Sequence, residues 1–210
     1  MKKQLPAFSF QLSGRNRQRT SRLSFLAPGF TLLELLVVVS IFAFISIITL
    51  ANHSKFNSSV LLTNLAYNIA LSIRQAQVYG LSVQTFDLNF QVGYGVHITT
   101  GGSYLFFADT NADKRYEAGT DSIVQTYNIG QGNFIKRFCG TLADGTTQCS
   151  DDATPIDHLD IVFFRPEPDA NMSSSGPTPY SSGKIVVGSS AGDTRTITIE
   201  STGQISVTNP

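Results

Sequence analysis

The pattern of apolar and polar positions divides this chain into a helical first part and a strand-rich remainder. From Leu35 to Ala51 no residue is charged, and only Ser40, Ser46 and Thr49 are polar. With Phe30 to Leu33 added, the run approaches the roughly 20 residues that a helix needs to cross a bilayer. Glu34 alone interrupts it. Asn52 to Ser59 is polar but holds no proline or glycine to end a helix. Leu62, Leu65, Ile69, Ile73 and Ala76 then recur at steps of three and four, with Thr63, Asn64, Asn68, Arg74 and Gln75 off that stripe. This spacing predicts an amphipathic helix with one buried face, ending near Gly80. Residues 30–79 therefore read as one helix of about 50 residues, roughly 75 Å at 1.5 Å per residue.

Beyond Gly80 the period drops to two. Phe86, Leu88 and Phe90 alternate with Thr85, Asp87 and Asn89, and Tyr94, Val96 and Ile98 follow Gly93, which predicts a hairpin. Tyr104 to Phe107, Ser122 to Ile129, Phe134 to Phe138 and Leu159 to Phe164 read as further strands. Arg165 to Ser182 carries four prolines among serines and glycines and reads as a long surface loop. Lys184 to Val187, Thr194 to Glu200 and Gln204 to Val207 close the chain, the last two joined by Ser201-Thr202-Gly203. One long helix followed only by strands predicts an α+β layer, helix on antiparallel sheet. The expected segments are a leader at 1–29, an apolar membrane helix at 30–51, an amphipathic half at 52–80 and a β-sheet domain at 81–210.

Charge gives the first part a direction. The 210 residues sum to zero, yet Lys2, Lys3, Arg15, Arg17, Arg19 and Arg22 all precede Gly29, and no acidic residue does. Without them 9 basic residues face 15 acidic ones, a net of −6. A basic segment before an apolar run stays in the cytoplasm, so the chain from Asn52 onward is expected on the far side. An acidic outer domain also argues against nucleic-acid binding through net charge. Glu34 is the anomaly, since a carboxylate at a bilayer centre costs roughly 2.5–3.5 kcal/mol on insertion scales. A secretory signal peptide or a plain signal anchor has no use for it, and no small-x-small cleavage site follows the run.

Gly29-Phe30-Thr31-Leu32-Leu33-Glu34 and the apolar helix behind it resemble the signature of type IV prepilins, shared by type IV pilins and type II secretion pseudopilins. The resemblance implies cleavage between Gly29 and Phe30 by a prepilin peptidase, N-methylation of Phe30 and an assembly role for Glu34. The residues supply a physical reason. A new ammonium on Phe30 is the nearest compensating charge for a carboxylate in apolar surroundings, and methylation keeps it charged. Pairing Glu34 with the Phe30 amine of a neighbour would offset desolvation and fix the register of an assembly. Ile73-Arg74-Gln75-Ala76-Gln77, Tyr94-Gly95-Val96-His97-Ile98 and the stretch Thr196 to Ile205 are further similar to the GspH/FimT branch of pseudopilins. Some FimT proteins are linked to DNA uptake through C-terminal arginines. Arg195 is the one basic residue after Lys184 here, so the resemblance does not carry DNA binding over.

Candidate chemistry is sparse. Cys139 and Cys149 are the whole cysteine supply and flank an Ala143-Asp144-Gly145 turn, so an oxidising compartment would join them. Asp109, Asn111, Asp113 and Glu117 stand at positions one, three, five and nine of a calcium-type loop, with Lys114 where the sharp turn needs glycine and Thr120 in place of the bidentate glutamate. A strand connection whose Asp and Asn side chains satisfy their own backbone explains the same residues. His53, His97 and His158 lie far apart and in no ligand motif, and no catalytic set or required cofactor emerges. The expectation is a structural pseudopilin or minor pilin that works with other pilins and a prepilin peptidase at the bacterial inner membrane. The alternative is a filament-tip adhesin or DNA-uptake receptor.

Overall fold

The computed structural model describes residues 29–82, 92–176 and 178–208, with the side chains of 51–57 outside that description. The expected leader (1–28) and the expected strand Phe86–Phe90 lie outside the described residues. The chain separates into two compact units, Met1–Ser46 and Ile47–Pro210. A single helix, α1 (Leu32–Leu81), contributes to both.

In the first unit every described residue is exposed. The stretch Leu32–Leu50 is long and apolar enough to cross a membrane, and none of it is buried. Leu32, Leu33, Phe42, Phe44 and Leu50 each leave more than half of their surface open. Among the described residues none of this apolar surface is buried, and an exposed apolar patch of this size marks a surface suited to lipid or to another chain.

The second unit is built on the remainder of α1. Leu62, Ala66, Ile69, Ile73 and Ala76 are fully buried at alternating steps of four and three, which is one face of a 3.6-residue helix. Leu65, expected in that stripe, is half-buried at its margin. Gly80 ends the contact: a Cβ there would sit 2.3 Å from the Phe163 carbonyl oxygen, so only glycine lets the last turn come this close to the backbone of Phe163.

The strands form two antiparallel sheets instead of the single layer that alternation alone predicts. In the first, β1 (Gly93–Ile98) is flanked by β2 (Ser103–Asp109) and β6 (Leu159–Phe163), with β3 (Ser122–Asn128) and β7 (Asn171–Ser173) at the edges. The second runs β10 (Ile205–Thr208), β9 (Thr194–Glu200), β8 (Ser182–Ser189), β4 (Asn133–Thr141) and β5 (Thr147–Cys149). Both sheets and α1 feed one core, in which Val96, Ile98 and Phe106 meet Phe138, Ile185 and Ile197. Burying each such side chain stabilises by about 1.5–3 kcal/mol. A short bridge between Gly101 and Ile135 ties the sheets together, with N–H···O bonds of 3.1 and 2.8 Å.

Two sequence expectations need correcting. The predicted hairpin would place a neighbour before β1, but both edges of β1 are taken by β2 and β6. Arg165 to Ser182 is also no plain surface loop. It enters through a cis Arg165–Pro166 peptide, forms β7, and buries Ala170, Met172, Ser174 and Tyr180. The apolar anchors in that stretch are too few and too widely spaced to show a period, and an edge strand tolerates nearby prolines.

Candidate functional site

Gly29 and Phe30 are exposed and precede the helix, Phe30 leaving 73% of its surface open. Thr31 caps α1: its Oγ1 accepts the Glu34 backbone N–H at 3.2 Å, and its carbonyl accepts that of Leu35 at 3.1 Å. The sequence reading passed over Thr31, although Thr-x-x-Glu before an apolar run is a capping signature. The cap closes the first turn of α1 directly behind the exposed Gly29 and Phe30. Glu34 lies in that first turn, one turn from Phe30, where the positive end of the helix favours a carboxylate. Like the apolar residues around it, Glu34 is exposed.

Cys139 and Cys149 are joined, and they face one another across β4 and β5 with Cα atoms 4.0 Å apart. Arg137 lies over the bridge, its Nη2 3.4 and 3.6 Å from the two sulfurs and its Nη1 3.3 Å from Asp151. The short strand β5, absent from the sequence reading, exists because this bridge and three ladder pairs hold it against β4.

The turn with calcium-type spacing is organised by its own backbone. Asp109 is fully buried, and its two carboxylate oxygens accept the N–H groups of Ala112 at 2.7 Å and Lys114 at 2.8 Å. Asn111 accepts from Asp113, and Asp113 from Arg115. Asp121 accepts from Thr110 and Glu117 at 3.0 and 2.8 Å. Asp109, Asp113 and Asp121 thus bring oxygens within 4.8 Å of one another, whereas Glu117 turns its carboxylate toward Asn111 at 3.4 Å. Lys114, at the position where such a loop wants glycine, does take a left-handed backbone with φ 69°. Burial pushes the Asp109 carboxyl up to about 6; the Asp121 and Asp113 charges add to this, and the two N–H donors oppose it.

The same excursion is pinned to the outer face of the first sheet by residues the sequence left apart. His97 on β1 and Asp160 on β6 are direct cross-strand partners, with Nδ1 2.6 Å from the Asp160 Oδ1. The other oxygen of this fully buried carboxylate accepts the Tyr116 N–H at 3.0 Å and has the His158 Nε2 at 3.4 Å. The Tyr116 ring packs on His97 and Phe107, and the Ser173 hydroxyl donates to the Lys114 carbonyl at 3.1 Å. Asp160 is therefore the anchor for this loop. The one hint in the sequence is the spacing of two between His158, just before β6, and Asp160 within it, which turns both to one side of the chain.

Comparison with known proteins bears on the N-terminal segment most directly. Residues 28–50 match the prokaryotic N-terminal methylation motif. The pilin-like protein PilA1 of Thermus thermophilus is 31% identical over 108 residues, which make up 51% of this chain. The chain spans 64% of the length of that relative. No solved structure gives a significant match. Together with the exposed apolar helix, these matches mark the N-terminal segment as type IV prepilin-like.

Proposed function

We propose that the chain is a pilin-type structural subunit that assembles through its N-terminal helix. One observation carries this reading: the methylation motif falls on the exposed apolar stretch of α1, whose first turn holds a single carboxylate, Glu34. A prepilin peptidase cuts between Gly29 and Phe30, and the new Phe30 amine is methylated. Leu32–Leu50 then sits as a single pass in the bacterial inner membrane, with the strand-rich unit on the periplasmic side, and later enters the core of a filament. Glu34 meets the Phe30 ammonium of a neighbouring subunit. A lone carboxylate in apolar surroundings is costly, so that pairing selects one axial register. No catalytic step is asked of the chain. The words shared with GspH/FimT pseudopilins support a narrower version, a minor component of a type II secretion pseudopilus or a type IV pilus.

Two measurements test the reading. Terminal mass spectrometry of protein made beside a prepilin peptidase is expected to show methylated Phe30 at the start. A terminus near Asn52, left by signal peptidase, would end the pilin interpretation. Replacing Glu34 with Ala removes a charge from the membrane segment, so abundance in the membrane is expected to hold or rise slightly. Recovery in sheared or crosslinked filament fractions is expected to fall about tenfold or more, because the Phe30 ammonium of the neighbour loses its counter-charge. Normal incorporation of Glu34→Ala would overturn the role given to this residue.

A further inference from the structure

Within the second unit, the side of α1 next to its buried stripe borders an open groove whose chemistry the assembly reading does not use. Two hollows of about 410 and 290 Å³ adjoin there and share Leu65, Asn68, Asn128 and Ile129 as walls. The larger lies within the size range of small-molecule clefts. No Asp, Glu, Lys or Arg lines either hollow. Side-chain amides take their place: Asn64, Asn68 and Gln75 from α1, and Asn128, Gln131 and Asn133 from the opposite wall. Only Gln75 among these has a side-chain partner among the described residues, accepting the Tyr127 hydroxyl at 3.5 Å. Each remaining amide offers two donors and an acceptor to whatever enters.

An aromatic platform completes the groove. Tyr127 stacks on Tyr104 with ring centroids 4.8 Å apart and planes 13° from parallel. Tyr104 is buried beneath it and fixed by a 3.0 Å hydrogen bond with Ser72, while Tyr127 stays half-buried at the groove. The platform is thus held in place before any ligand arrives. Gln131 shows a further departure from local preference. It occupies the first central position of the Gly130–Asn133 turn at φ 62°, where Asn, Asp or Gly would be at ease. A longer amide kept in a left-handed backbone at the rim points to a use for its reach.

From this combination we propose that the groove binds a neutral oligosaccharide, one sugar ring lying on Tyr127 and its hydroxyls held by the amides of Asn68, Asn128 and Gln131. Sugars without charged groups present apolar C–H faces that suit an aromatic ring. Their edges are dense with hydroxyls, each donor and acceptor at once, which planar amides match on both counts. Phosphate, sulfated glycans and acidic or basic peptides find no counter-charge in these walls. An uncharged peptide would have to add to β3, the edge strand of this sheet among the described residues, and would leave most of the amides idle.

The test uses the full chain in lipid nanodiscs free of sugar-based detergent, so that binding is read on dispersed protein whether or not it polymerises. Uncharged hexamers of N-acetylglucosamine, of β-linked glucose and of α-linked glucose are the probes, followed by saturation-transfer NMR and calorimetric titration. A sulfated heparin hexamer and an uncharged strand-forming octapeptide are the comparators. At least one neutral hexamer is expected to bind, with transfer strongest on the ring protons of one residue, and neither comparator is expected to compete. Tyr127→Ala and Gln131→Gly are each expected to weaken binding by about fivefold or more. Gln131→Gly relieves the left-handed backbone and is expected to melt no lower than the parent, which separates loss of binding from loss of fold. The proposal is overturned if no neutral hexamer binds, if the heparin hexamer or the peptide binds as well or better, or if Gln131→Gly binds like the parent.

Discussion

Gln77, in the last turns of α1, donates to the carbonyl of Gly203, 126 residues further along the chain, at 3.4 Å, and to that of Pro168 at 3.3 Å. The glutamine is almost fully buried, and Arg74 donates to its amide oxygen at 2.5 Å. One side chain thereby joins the helix to the β9–β10 turn and to the segment leading into β7. Gly203 has φ +80°, and a Cβ there would lie 2.5 Å from both the Gln77 Nε2 and the Pro168 oxygen.

Gly203→Ala is therefore expected to destabilise the second unit by about 2 kcal/mol or more, from the left-handed backbone and the clash together. Urea unfolding followed by circular dichroism reads this. Gly145, also at positive φ but with nothing near its Cβ position, is the control and should lose only the backbone part.

Asp160→Ala is expected to free the segment from Thr110 to Asp121 while leaving both sheets folded. The change strips the Tyr116 N–H and both histidines of their shared acceptor, a loss of about 3 kcal/mol for a buried hydrogen-bonded carboxylate. Limited proteolysis should cut after Lys114 or Arg115 far faster than in the parent. Unchanged cleavage would refute the anchoring role.

Asp109 sets a pH dependence with a definite sign. Its folded value of about 6 lies above the ordinary 3.8, so between those values the folded state holds the proton more firmly than the unfolded chain. Stability contributed by this group is full below pH 4, declines as pH rises toward 6 and is flat above. Melting temperatures from pH 4 to 7 should show that decline, and Asp109→Asn should flatten it. Calcium at neutral pH is expected to raise the melting temperature little, because Asp109, Asn111, Asp113 and Asp121 already spend oxygens on backbone N–H groups. A saturable rise of several degrees would instead assign the turn to the ion.

Replacing Cys139 and Cys149 together with serine is expected to cost about 2–3 kcal/mol, the loop-closure value for residues ten apart in sequence. Reduction of the parent should produce a matching shift in calorimetry. The change should fall mainly on β5, whose three ladder pairs are its main tie to β4.

Local information alone specified the long N-terminal helix of this protein. An uninterrupted apolar run, a stripe at three- and four-residue steps and the absence of breakers before Gly80 predict a helix over 30–79, and the helix spans Leu32–Leu81. Glu34 was conspicuous because a carboxylate beginning an apolar run has a large cost that needs a partner. Thr31 was equally legible as a cap and was missed. Alternation likewise located most of the strands, and the pairing of Cys139 with Cys149 followed from having only two cysteines. Tertiary structure decided what those strands lie beside. A period of two says which residues share a face but carries no information about the neighbouring strand, so the split into two sheets could not be read from it. His97 and Asp160 are 63 residues apart and meet only because β1 pairs with β6. Met172 and Tyr180 hide in a proline- and serine-rich stretch because two anchors make no period, yet burial against an existing core is enough to hold them. The groove with Tyr127 and Gln131 arises in the same way, from helix and strand positions brought side by side by core packing that neither segment encodes alone.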